Sequence, residues 1–251
     1  MKAILGTKIG MISIFDEQGK MHAATVIYVE PNKVLAVKTK DKNGYDSLKL
    51  GYETIAEKKL NSPTKGQFKK INQEPKKYVK EFRNFTGYNV GDEIKVDIFT
   101  KGEFVDIQGT SKGHGFTGSI KRHNFAIGPL GHGAGYPHRY VGSISGGRGG
   151  SQAQRVFKGT ELPGHYGHEN VTISNLLILD VNTKDNLLII KGAIPGNKRG
   201  LVYIRSSKKK PNDKKEINLF SLSTKTKNNE PEIKQDASTN NQQIINEGGS
   251  Q

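Results

Sequence analysis

Histidines crowd the middle of this 251-residue chain, and imidazole is a common metal ligand and proton carrier. Six of the seven histidines lie between residues 114 and 168, and the last two form a His165-x-x-His168 pair followed by Glu169. Zinc sites hold their histidines on rigid elements, with hydrogen-bond partners behind the rings. These histidines are instead surrounded by glycines. We therefore expect no metal site here.

The sequence GHGFTG, from Gly113 to Gly118, matches the glycine pattern of dinucleotide-binding turns and follows a predicted strand. Such a turn needs a helix directly after the glycines and an acidic residue about 20 positions later. Here the next segment is interrupted at Gly128-Pro129, and the next acid is Glu161. The match is interpreted as accidental, and no cofactor is expected. A glycine-rich-loop enzyme is the rival hypothesis, which saturable binding of a dinucleotide would revive.

Catalytic side chains are scarce in the same region. The chain has no cysteine and no G-x-S-x-G elbow, and only one acid lies between Thr110 and His165. We predict no catalytic residue, no small-molecule substrate and no enzymatic activity.

The absence of cysteine fits a reducing compartment, and the N-terminus lacks the apolar core of a signal peptide. A cytoplasmic location is expected.

The charge of the chain is strongly positive. Lysine and arginine outnumber the acids by 39 to 24, which gives a formal net charge of +15. The excess is densest between Thr110 and His165, where seven cations accompany one acid. A polyanion is the expected partner, with nucleic acid first and an anionic membrane surface second. No apolar run approaches the roughly 18 residues of a membrane span, and no amphipathic helix with a lysine-rich face is seen, so a membrane partner is disfavoured.

The middle segment differs in composition from a flexible linker. Besides glycine and serine it contains five aromatic residues interleaved with its cations. Aromatic rings can stack on unpaired bases, guanidinium groups can bind phosphates, and glycines allow the backbone to approach a phosphate chain. Proteins that read double-stranded DNA usually present a helix or ribbon, and no basic helix or zinc finger is visible. The composition therefore favours folded RNA.

The sequence predicts β-strands both before and after this middle segment, and these strands must position it. Short runs of β-branched and aliphatic residues alternate with turns, including a hairpin signal at Asn43-Gly44, and a short helix is expected between residues 55 and 78. So many short strands leave exposed edges unless they close into a barrel. The predicted organisation is a β-barrel domain of residues 1–109 and 166–207, an extended loop at 110–165, and a disordered, low-complexity tail at 208–251.

Several long motifs resemble the bacterial ribosomal protein L3 family. They are GTSKGHGFTGSIKRHNF (109–125), HGAGYPHRYVGSI (132–144), RVFKGTELPGHYGHENVT (155–172) and NLLIIKGAIPGNKRGLVYIRS (186–206), together with the opening GTKIGMISIFDEQGK (6–20). The resemblance covers about residues 1–207. It implies a mainly β fold: a translation-protein-type β-barrel with a small α+β excursion and a long irregular central extension.

The resemblance also implies a function. A member of this family is a structural constituent of the large ribosomal subunit that binds 23S rRNA directly and helps nucleate assembly. Its extension reaches toward the peptidyl transferase centre, and its other partners are neighbouring large-subunit proteins. The expected location is therefore the cytoplasmic ribosome.

The expected rRNA-binding residues follow from the composition of the segment. The cations expected to bind phosphates are Lys112, Lys121, Arg122, Arg139, Arg148, Arg155 and Lys158. The remaining expected contacts, by stacking or by hydrogen bonds to sugars, are His114, Phe116, His123, Asn124, His132, His138 and Tyr140.

Two features depart from the family pattern. His123 stands where many members have tryptophan, and its imidazole ring offers a smaller surface for stacking than an indole ring does. The loop from Ser145 to Arg155 is longer than usual, so a methylated glutamine found in some members is not assigned to Gln152 or Gln154.

Overall fold

The computed structural model describes residues 1–135, 138–144, 156–210, 213–215 and 217–220. Within them the strands are β1 (Ala3–Phe15), β2 (Met21–Tyr28), β3 (Asn32–Lys38), β4 (Ser47–Thr54), β5 (Lys76–Arg83), β6 (Glu93–Ile94), β7 (Phe104–Thr110), β8 (Gly115–Thr117), β9 (Gly164–Tyr166), β10 (Asn170–Asn182), β11 (Leu187–Lys191) and β12 (Leu201–Ser206). The helices are α1 (Lys40–Asn43), α2 (Ser62–Lys70) and α3 (Ser119–His123), with 3-10 turns at Glu57–Lys59 and Val96–Ile98.

A closed antiparallel barrel organises the chain. Its strand order is β1-β12-β7-β10-β11-β2, and β2 pairs with β1 on one side and β11 on the other. Closure pairs every barrel strand on both edges for at least part of its length, which satisfies backbone groups that an open sheet would expose. The prediction of a mainly β fold with a barrel is confirmed. Three barrel strands precede the middle segment and three follow it.

The interior of the barrel is filled by β-branched side chains from every second position of its strands. Ile4, Ile27, Ile107, Ile190 and Ile204 are each fully buried. They form one cluster, which continues into the second sheet. This continuity ties the two sheets into one core.

The second sheet has the order β5-β4-β3-β6, and α2 lies between β4 and β5 in the chain. The helix begins after Asn61 with Pro63 in its first turn, where a missing N–H costs nothing. At the hairpin signal the chain forms α1 and ends it at Gly44, whose φ of 76° is the left-handed conformation that glycine adopts freely. β3 and β4 pair across this connection.

Asn32 joins the barrel to this second sheet. Its buried carboxamide accepts a hydrogen bond from Leu5 N–H at 3.0 Å and donates one to Leu5 O at 3.0 Å. The same Nδ2 donates to Glu30 O at 2.9 Å. β2 ends at Tyr28, and its pairing with β1 begins at Thr7, so the side chain of Asn32 replaces the missing strand beside Leu5.

The predicted tail begins against the barrel. Lys214 forms an isolated bridge with Glu103, and Leu219 forms another with Asp16. The first compact unit of the chain accordingly extends to Leu219. The rest of the predicted tail lies outside the described residues, so its disorder stays a prediction. Among the helices in the described part, none has the length and apolar character needed to cross a bilayer.

Candidate nucleic-acid interface

The middle segment leaves and re-enters the barrel through two adjacent strands, β7 and β10. Thr110 at the end of β7 faces Asn170 at the start of β10, and their side chains hydrogen-bond at 3.3 Å. Immediately beyond, Ser111 N–H donates to Glu169 O at 2.8 Å, and Glu169 N–H donates to Ser111 Oγ at 3.1 Å. The two limbs therefore depart side by side in a fixed register.

We call the paired residues 110–117 and 164–170 the root of the segment, and a short two-stranded ribbon forms its outer part. β8 and β9 pair from Gly115 opposite Tyr166, and the His114 ring stacks on the Tyr166 ring with centroids 5.2 Å apart. Gly167 has a φ of 76°, and a Cβ at this position would overlap with the carbonyl oxygen of Lys112. The close approach of the limbs thus requires glycine at Gly167.

The short helix α3 packs its basic residues onto the returning limb. Arg122 Nη1 donates to Leu162 O at 2.8 Å, and His123 Nε2 lies 3.3 Å from the same oxygen. The His123 ring also lies 6.1 Å from the ring of Phe125. Arg122 and His123 were predicted to contact rRNA. The structure gives both of them a contact within the protein, at the carbonyl of Leu162.

Beyond α3 the backbone is irregular and locally braced. Asn124 ends the helix with a φ of 60°, and His132 also has a positive φ of 58°. Gly128 N–H donates to His138 O at 2.8 Å, and His138 Nδ1 lies 2.7 Å from Pro129 O. A side chain at Gly128 would overlap with the Tyr140 ring, so this glycine allows a tight local turn.

Large apolar side chains on this segment face solvent. The exposed fraction is 80% for Phe116, 79% for Leu130, 55% for Tyr140 and 53% for Phe157. Side chains of this size are more often buried, so the exposure of four of them on one segment is unusual. Four predicted phosphate contacts are exposed on the same segment, namely Lys112, Lys121, Arg139 and Lys158.

The structure separates the predicted contacts into groups. Arg122 and His123 meet at one carbonyl, His138 and Tyr140 lie against Gly128 and Pro129, and His114 belongs to the root. Arg148 and Arg155 lie outside the described residues.

Metal-ligating side chains do not converge in the described part of the chain. No three histidine or acidic residues there are placed to hold one ion. His165 and His168 are both exposed, and His168 has a φ of 54°. The geometry therefore offers polar and aromatic contacts at the surface.

A buried lysine near the root was missed by sequence reasoning. Lys8 of β1 is only 9% exposed, and its Nζ donates to Ile194 O at 2.6 Å and to Gly196 O at 3.3 Å. Burial, followed by the nearby charge of Lys112, lowers the pKa of Lys8. Lys8 thereby fixes the loop before β12 close to the root. In the sequence, GTKIGM reads as a strand with an ordinary surface lysine.

Comparison with known proteins adds independent evidence. The family model described as "Ribosomal protein L3" matches residues 70–187. The chain is 65% identical over 209 residues to "Large ribosomal subunit protein uL3" of Ureaplasma urealyticum, which covers 83% of this chain and 89% of that protein. Proteins of the same name from Mycoplasmoides gallisepticum and Spiroplasma kunkelii are 53% and 50% identical, over 84% and 94% of this chain and 90% of each relative.

Proposed function

This chain belongs to the ribosomal protein L3 family, and from that membership we propose that its segment at 110–165 binds 23S rRNA directly. The protein is a structural component of the large ribosomal subunit and not an enzyme. The finer proposal is that the barrel docks on rRNA while the segment extends toward the peptidyl transferase centre. Early binding of this kind would help nucleate subunit assembly, beside neighbouring large-subunit proteins.

One observation carries the proposal. The root holds a segment that is poor in acids and whose cations and large apolar side chains are both exposed. The paired limbs at Thr110 and Asn170, and the ribbon beyond them, fix where the segment starts. Phe116 and Leu130 are then about four-fifths exposed. RNA supplies both complements at once, because bases offer flat surfaces for stacking and phosphates neutralise the cations.

The predicted contacts have different proposed roles. Lys112, Lys121, Arg139 and Lys158 are exposed and are proposed to bind phosphates, as are Arg148 and Arg155. The remaining proposed contacts are His114, Phe116, Asn124, His132, His138 and Tyr140. Arg122 and His123 are proposed to position the segment through Leu162 and to offer RNA only their remaining surfaces.

The proposed division of the chain is a barrel domain of residues 1–109 and 166–207 that carries the segment as an insertion. The hydrogen bonds that close the barrel at β7 and β10 support this division, because they end where the segment begins.

Salt-dependent binding tests the proposal. The full chain is titrated with a 23S rRNA transcript over a salt series, beside a variant with Lys112, Lys121, Arg139 and Lys158 changed to glutamine. Each lost phosphate contact lowers the slope of log affinity against log salt by about 0.7 to 0.9, so the variant should lose about 3 from its slope. A control with exposed Lys58, Lys59, Lys69 and Lys70 changed to glutamine removes the same charge.

Two results would contradict the proposal. The first is that the affinity of the wild-type protein for the transcript does not change with salt. The second is that the segment variant and its control bind with the same affinity and the same salt slope. The second result would show that net charge, and not this segment, determines binding.

A further inference from the structure

A basic cleft lies where the second sheet meets the barrel wall. Its volume is about 370 Å³, and one side is formed by β5, an edge strand of the second sheet. The other side is formed by β7 and β12, which pair through Tyr203 opposite Gln108 and Arg205 opposite Asp106. The cleft is separate from the segment at 110–165, because none of its lining residues belongs to that segment.

Four cations from both sides line this cleft. Lys80 and Arg83 come from β5, Arg205 comes from β12, and Lys208 follows β12. Lys80, Arg83 and Lys208 are exposed, whereas the Arg205 side chain is 33% exposed. Such a convergence of like charges is unfavourable unless an anion compensates it.

The acids near the cleft are already engaged. The carboxylate of Glu81 lies 2.6 Å from Lys38 Nζ and accepts a hydrogen bond from Ser47 Oγ at 2.8 Å. The contact with Lys38 lowers the pKa of Glu81 to about 2. Asp106 is 4% exposed and lies 3.6 Å from Arg205 Nε. The positive charge on the rim therefore exceeds what the neighbouring acids compensate.

The floor of the cleft is suited to a base or a ribose. Tyr203 and Gln108 are cross-strand neighbours, and both are partly exposed. Lys80 Nζ lies 4.9 Å from the centroid of the Tyr203 ring, which places a cation beside an aromatic surface. A phenol and a carboxamide can donate to and accept from the edge of a base or a ribose hydroxyl.

We infer that this cleft is a second RNA site, which holds an unpaired nucleotide of large-subunit rRNA. Its phosphate would lie against Arg83, Arg205 and Lys208, and its base or ribose against Tyr203 and Gln108. The inference rests on the proposed function. It adds a contact on the barrel whose residues come from strands far apart in the chain.

The test uses the full chain and a 23S rRNA transcript. The cleft variant changes Lys80, Arg83 and Lys208 to glutamine and keeps Arg205, because its removal would leave the buried Asp106 without its ion pair. Because Arg83 and Lys208 are two of the three cations proposed to hold this one phosphate, their loss should lower the salt slope by about 0.7 to 0.9 and weaken binding severalfold at moderate salt. Chemical footprinting should show a discrete group of nucleotides that loses protection.

The matched control changes Lys58, Lys59 and Lys69 to glutamine, which removes the same charge from another exposed surface. It should keep the slope and the footprint of the wild type. Equal thermal unfolding midpoints of the two variants show that any difference is not caused by misfolding.

Three outcomes overturn the inference in different ways. If the wild type fails to bind the transcript, the proposed function fails with it. If the wild type binds and the cleft variant keeps its affinity, slope and footprint, the proposed function stands and the cleft is not an RNA site. If the footprint is kept but a neighbouring protein is lost from reconstituted subunits, the cleft binds protein.

Discussion

Replacement of Asn32 by alanine should destabilise the protein severely, because this carboxamide completes the hydrogen bonding of β1. The side chain is fully buried and serves both the N–H and the C=O of Leu5. Alanine leaves these two groups without partners. A buried polar group that loses its partner costs about 1 to 3 kcal/mol, so the expected loss is about 2 to 6 kcal/mol. That is a large part of the 5 to 15 kcal/mol that ordinarily stabilises a folded domain.

Urea unfolding followed by circular dichroism measures this loss. The midpoint should fall while the m-value stays unchanged, because the same surface is exposed on unfolding. The control is Asn89→Ala, at an exposed position, which should change stability by less than about 0.5 kcal/mol. A loss below about 1 kcal/mol for Asn32→Ala would refute the reasoning, since it would mean that water satisfies the backbone of Leu5.

Two further predictions concern the root and the second sheet. Gly167→Ala should destabilise the protein by more than about 1 kcal/mol in thermal unfolding, because alanine is strained at positive φ and its Cβ overlaps with Lys112 O. The control Gly131→Ala places its Cβ in open space and should leave the unfolding midpoint unchanged. Glu81 should stabilise the fold above its unfolded pKa and lose this contribution as the pH falls from about 4.5 to about 2, so Glu81→Gln should flatten the decline of the urea midpoint in that interval. Parallel declines in wild type and variant would contradict this.

The barrel could be predicted because its strands carry their signal locally. β10 and β12 are runs of branched apolar residues bounded by turns, and β7 ends where the glycines begin. The sequence predicts strands in this part of the chain but assigns them to the barrel, whereas the structure places β3 to β6 in a separate sheet. The run DEIKVDIF reads as a strand, but the structure forms only β6 at Glu93–Ile94 and then a 3-10 turn at Val96–Ile98.

The features that sequence reasoning missed depend on contacts between distant residues. Lys8 can be buried because its Nζ donates hydrogen bonds to the carbonyl oxygens of Ile194 and Gly196, which lie far from it in the sequence. The basic cleft requires Lys80 and Arg205 to meet, and neither strand alone distinguishes these residues from ordinary surface cations. Charge density along the chain predicts an extended binding segment, but it does not reveal a basic cleft assembled by the fold.

The energetics of the outer segment explain why charge should dominate its binding. In the described residues 124–135 and 138–144, the exposed large apolar side chains are Ile127, Leu130, Tyr140 and Ile144. Burial of four side chains stabilises less than the ordering of the backbone of these 19 residues costs in conformational entropy.

Burial alone therefore cannot hold these 19 residues in one conformation. Local hydrogen bonds such as Gly128 N–H to His138 O contribute about 1 kcal/mol each and close only part of the difference. On the proposed function, RNA phosphates that bind the cations and backbone N–H groups of the segment supply the remainder. Because those contacts release counterions, the affinity of the segment for RNA should depend more steeply on salt than on the loss of any single aromatic ring.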